Sequence, residues 1–92
     1  MTTTTARASI FKAGIRCEVA QDLIGALIAH AAHELAQALD AQNPDAQRIA
    51  GLRVQQQQWR DRREALDHRD AAQIEAVIAE LGPLARRLYV AG

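Results

Sequence analysis

Between Leu23 and Leu39 apolar residues return every three or four positions. On a helical wheel of about 3.6 residues per turn, Leu23, Ile24, Leu27, Ile28, Ala31, Leu35, Ala38 and Leu39 share one broad arc. Glu18, Asp22, His33 and Asp40 fall outside it. The pattern predicts a long amphipathic helix over 16–41. A second line on the same helix contains only small residues, Gly25, Ala29, Ala32 and Ala36, spaced as a seam. Such a seam lets a second helix backbone approach closely. The bland reading is that these residues are good helix formers on a solvated face.

The stretch AQNPDAQ then interrupts the period. Asn43 suits an N-cap, Pro44 the first helical position and Asp45 the first turn, so a second helix is expected over 44–66. So short a connection makes it run back antiparallel to the first. Its apolar positions form a narrow seam, Ile49, Leu52, Gln56, Trp59, Arg63 and Leu66, with a glutamine and an arginine inside it. Gln55–Gln58 is too short for a low-complexity tract, and glutamine is a competent helix former. A third helix over 68–90, capped by Asp67 with Asp70 in its first turn, carries the stripe Ile74, Val77, Ile78, Leu81, Leu84, Ala85 and Leu88. Gly82-Pro83 interrupts that stripe, and proline removes a donor and crowds the preceding turn, so a kink or break is expected there. The fold class is therefore all-α. An antiparallel helical hairpin and a Gly-Pro-kinked third helix form one three-helix domain over 15–92, behind a flexible arm over 1–14. The segment SIFKAGIR, residues 9–16, reads equally as an extended segment or as a first helical turn from Ser9.

Composition sharpens this picture. The chain has 92 residues and is 49% hydrophobic, but alanine supplies much of that share, and Phe11, Trp59 and Tyr89 are its only aromatics. A core built from so few large side chains is thin, which makes a second chain or another partner physically attractive. Acids and bases balance at 11 each, which argues against a protein that coats DNA or is drawn to membrane surfaces by charge. Their distribution is uneven. Residues 18–46 hold Glu18, Asp22, Glu34, Asp40 and Asp45 and no Lys or Arg, whereas 48–69 hold six arginines against Asp61, Glu64 and Asp67. An antiparallel hairpin then brings Arg48, Arg53 and Arg60 within reach of carboxylates on the first helix. On this expectation the arginine-rich stretch is occupied at home and does not reach for phosphate. Exposed pairs of this kind select a partner more than they stabilise it.

Candidate chemistry is sparse. His30, His33 and Glu34 form H-x-x-H-E, which lacks both the order of a metalloprotease helix and a third strong ligand nearby; a surface hydrogen bond explains His30 and Glu34. Cys17 has no activating neighbour at helical spacing and reads as a small core residue; as the single cysteine it also rules out an intrachain disulfide and points to a reducing cytoplasm. LIGALIAHAA is too short to span a bilayer, and the N-terminus lacks a signal-peptide pattern. No nucleophile elbow, phosphate-cradling glycine loop or paired-cysteine motif is present, so no catalysis, cofactor or metal is expected. The high Arg:Lys ratio and alanine content fit a GC-rich bacterial genome.

The expectation is a small protein-interaction module of adaptor, chaperone or inhibitor type, a homodimer or a binder of another protein. Gly25, Ala29, Ala32 and Ala36 would form the contact. The alternative is a dimeric nucleic-acid-binding regulator that uses Trp59, Arg60, Arg62 and Arg63 for stacking and phosphate contact. Against it stand the interleaved acids and the seam position of Trp59.

Overall fold

The computed structural model describes the backbone of residues 2–90 and the side chains of residues 12–89. It contains three helices, α1 (Thr2–Asp40), α2 (Ala46–Ala65) and α3 (Ala71–Val90), and no strand among the described residues. α1 packs against both of the others. α2 returns antiparallel to α1. α3 turns again and runs parallel to α1, with Glu75 beside Arg16 at one end and Tyr89 over Ala26 at the other. The all-α three-helix bundle is thus the architecture of the chain.

α1 is longer than its periodicity predicts, since the helix reaches Thr2 across the segment expected as a flexible arm. Nothing between residues 2 and 16 breaks a helix outright, and once nucleated a helix extends at little cost. The two later starts are shifted inward. Asp45, not Asn43, caps α2, its carboxylate accepting from the amides of Gln47 and Arg48 at 3.0 and 3.3 Å. Pro44 biases Asn43 toward extended backbone, and a full negative charge suits the helix N-terminus better than an amide. Asp70, not Asp67, caps α3, accepting from the Gln73 amide at 3.0 Å. Asp67 instead accepts from the Arg69 amide at 2.9 Å, closing a turn. The Gln73 side chain ties that turn together by donating to the Ala65 carbonyl and accepting from the Asp67 amide. Residues 66–70 are consumed in reversing the chain.

α3 runs unbroken through Pro83. Pro83 and Ala79 are both exposed, so the carbonyl deprived of its donor faces water and the helix continues.

The core lies mainly between α1 and α3. Cys17, Ala20, Ile24 and Leu27 pack with Ile74, Val77 and Leu81, and Trp59 and Leu66 of α2 close the cluster from the side. Ile24, Ile74 and Leu81 are fully buried. Burying such a side chain contributes about 1.5–3 kcal/mol. No polar side chain is buried among the described residues, so apolar fit alone sets the packing. The predicted arc of α1 is buried or half-buried except Leu39, at its edge and near the hairpin end, which is 49% exposed. The seam of α2 holds at Ile49, Leu52, Gln56, Trp59 and Leu66 but not at Arg63, which is exposed while Arg62 is half-buried. The N-terminal half of α2 faces α1 alone. Its C-terminal half faces α3 as well, so the buried face turns toward Arg62.

Candidate functional site

Two surfaces carry the candidate residues. The first is the outer face of α1. Ala29, Ala32 and Ala36 are exposed and Gly25 is half-buried. A Cβ added at Gly25 meets no atom within 4 Å. No helix of the same chain uses this seam. Ile15, 44% exposed, and Leu39, 49% exposed, extend the face at its two ends. Glu18, Asp22, His33 and Asp40 are exposed along the same helix.

The second surface is the arginine-rich part of α2. Trp59 is half-buried against the core, and the Arg62 guanidinium carbon sits 5.4 Å from its ring centroid. Arg62 also makes a forked contact with Glu80 of α3, at 2.8 and 3.2 Å. Two of the four residues expected to meet nucleic acid are therefore engaged inside the chain. Arg60 and Arg63 are exposed, as is Arg53, and none of the three makes an ion pair among the described residues.

The expected charge zip between α1 and α2 is correspondingly incomplete. Arg48 approaches Glu34 at 3.9 Å, but Arg53 and Arg60 find no carboxylate on α1. The reason is rotational: Glu18, Asp22 and Asp40 lie on the exposed side of α1, leaving Glu34 as its half-buried carboxylate near α2. The acids that do engage belong to α3. Glu75 takes a forked contact from Arg16 at 2.7 and 2.8 Å, and Glu80 takes the one from Arg62. Those hydrogen bonds hold both carboxyls below their ordinary range, partly opposed by desolvation. α3 thus clasps each of the other helices once. These contacts were hidden from sequence because their partners stand 59 and 18 residues apart.

At the end of α3 a polar cluster ties it to α1. His30 Nε2 lies 2.6 Å from Glu34, the Tyr89 ring meets the His30 ring edge-on at 6.3 Å, and the Tyr89 hydroxyl donates to the Ala26 carbonyl at 2.9 Å. The pairing expected for His30 and Glu34 is present as this close approach, and His33 stands apart from it, exposed. No group of three His, Cys, Asp or Glu side chains among the described residues is placed to share a metal ion. Cys17 is a free thiol buried in the core. Near the start of α3, Lys12, Arg16, His68, Arg69 and Glu75 rim an open cleft of about 450 Å³ floored by Ala13, Ala71 and Ile74. No local pattern marks this cleft, because its two walls, residues 12–16 and 68–75, lie more than fifty residues apart in the chain. Among the described residues no helix is long and apolar enough to cross a membrane.

The chain matches no protein-family model, no curated protein and no solved structure.

Proposed function

We propose that this protein is a cytoplasmic protein-docking module without catalysis, and that it self-associates through the outer face of α1. The observation that carries the reading is the open line Gly25, Ala29, Ala32 and Ala36, continued by exposed Ile15 and Leu39 on a helix whose other faces are covered. Small side chains permit close helix approach, and exposed large apolar ones gain from being covered. The distribution of polar groups agrees with this. Trp59, Arg62, His30, Glu34 and Tyr89 are all held by neighbours of their own chain. The test is sedimentation of the wild type against Ala32→Glu. A concentration-dependent dimer that the variant abolishes supports the reading; a wild type that stays monomeric across the accessible range refutes it.

A second reading, a nucleic-acid-binding regulator, is favoured by the exposed and unpaired Arg53, Arg60 and Arg63. It narrows the contact surface to these residues, since Trp59 and Arg62 are occupied. A gel shift on duplex and single-stranded probes at low salt decides it. Binding that weakens steeply between about 50 and 200 mM salt supports phosphate contact. Absence of any shift at about 50 mM removes the reading.

A further inference from the structure

The cleft between residues 12–16 of α1 and the start of α3 belongs to neither surface considered above, and it combines a charged rim with an apolar floor. We infer that it binds a small aromatic carboxylate, the ring laid on the floor and the carboxylate held at the rim by Lys12 and Arg69. The inference goes beyond the docking reading and does not depend on it.

The space is of the right size and is held open. About 450 Å³ lies between the walls, within the span of about 300–1,000 Å³ typical of small-molecule sites. It exists because the side chains on the two walls are short there. Ala13 of α1 and Ala71 of α3 are both exposed, and buried Ile74 closes the bottom. The forked contact of Arg16 with Glu75, at 2.7 and 2.8 Å, joins one wall to the other and holds them at one spacing.

Charge selects the class of ligand. The lining carries Lys12, Arg16 and Arg69 against one carboxylate, Glu75. That carboxylate is already taken by Arg16, and the Lys12 charge adds to the pull that holds it below its ordinary range. Lys12 itself makes no ion pair among the described residues. Arg69 is 83% exposed and reaches Asp67 only at 3.5 Å, longer than a charge-assisted hydrogen bond. The neighbouring acids serve the backbone: Asp67 accepts from the Arg69 amide and Asp70 from the Gln73 amide, and neither lines the cleft. Two cations at the rim are therefore left for an anion from outside.

The floor selects the body that carries the anion. Ala13, Ala71 and Ile74 offer methyl groups and no polar side chain, so covering them with an apolar group is favourable and covering them with a second polar group is costly. Arg16 has committed Nε and Nη2 to Glu75, so what its guanidinium still offers a ligand is chiefly a flat face, on which a ring stacks. Inorganic phosphate would meet the rim and leave the floor wet. A neutral ring would cover the floor and leave the rim unused.

The experiment is a titration of the full chain with 2-naphthoate at constant ionic strength, followed through the backbone amide resonances of a nitrogen-15-labelled sample. An open site and a ligand of this size are expected to give a Kd of the order of 1 mM, with shifts confined to residues 12–16 and 68–75. On the wild type, 2-naphthamide and inorganic phosphate are each expected to bind at least about ten-fold more weakly. Lys12→Glu is expected to weaken 2-naphthoate about ten-fold. Ala13→Leu, an exchange of good helix formers at an exposed position, fills the floor and is expected to abolish binding. Circular dichroism verifies that both variants fold, and the comparison of ligands on the wild type needs neither. The inference is overturned by shifts that are absent, or scattered over the whole chain, at about ten times the expected Kd. It is overturned equally if the amide binds as tightly as the acid, if phosphate matches 2-naphthoate, or if either folded variant keeps the wild-type affinity.

Discussion

Gly51 sits in the second turn of α2, exposed, with no atom within 4 Å of the position a Cβ would occupy. It has ordinary helical backbone with no positive φ, so its glycine character serves no turn or close approach. In the unfolded chain, however, glycine has more freedom to lose than alanine. Replacing it by alanine therefore stabilises the fold by about 0.5–1 kcal/mol, because the backbone entropy cost of ordering the position falls and no contact is displaced. For a domain of this size 1 kcal/mol moves the midpoint of thermal unfolding by about 4–8 °C, so a rise of about 2–8 °C is expected. The reverse change at its exposed neighbour, Ala50→Gly, removes a good helix former and lowers the midpoint by a comparable amount. Melting followed by circular dichroism reads both. All samples are held at one protein concentration, because the midpoint of any chain that self-associates rises with concentration. A fall or no change for Gly51→Ala refutes the reasoning, since it means either that α2 is not helical at this position or that something covers it. Both substitutions moving the midpoint in the same direction has the same force.

The remaining predictions concern the core, the caps and the ionic clasps. Leu81→Ala empties a fully buried site between α1 and α3 and should cost about 2–5 kcal/mol in urea unfolding; an effect under about 1 kcal/mol contradicts the assigned core. Asp45→Ala removes the acceptor for two amides and should cost about 0.5–2 kcal/mol, whereas Asn43→Ala, exposed and off the cap, should change the urea midpoint little. The carboxyls of Glu75 and Glu80 lie below their ordinary value of 4.5 in the folded chain, so the stability they contribute is fully present above that value and is lost as pH falls through the lowered ones. Glu75→Gln with Glu80→Gln should therefore lose less stability than the wild type between neutral and acidic pH; an identical acid dependence would show that Arg16 and Arg62 do not hold these groups.

The helices and most of their buried faces were legible in the residues themselves. Leu23, Ile24, Leu27 and Ala31 recur at helical spacing, as do Ile74, Val77, Leu81 and Ala85, and each side chain's position on its helix follows from a fixed turn angle. The placing of the hairpin was legible too, because proline and the acids of 40–45 stop one helix and start another. Hydrophobic period and turn chemistry are local properties, and local properties are written in adjacent residues.

What the order of residues did not contain was how each helix is rotated against its neighbours. That rotation hides Arg62 and exposes Arg63, although both were within reach of the seam. It turns Glu18, Asp22 and Asp40 away from α2, so Arg53 and Arg60 make no ion pair among the described residues while Arg48 reaches only Glu34. It brings Glu75 to Arg16, Glu80 to Arg62 and Tyr89 to the Ala26 carbonyl across separations that no local window covers. The sequence alone determined three amphipathic helices and the seam of small residues on the first. Tertiary packing decided which charges are satisfied and left that seam uncovered, because α2 and α3 both bury their apolar stripes on the other side of α1.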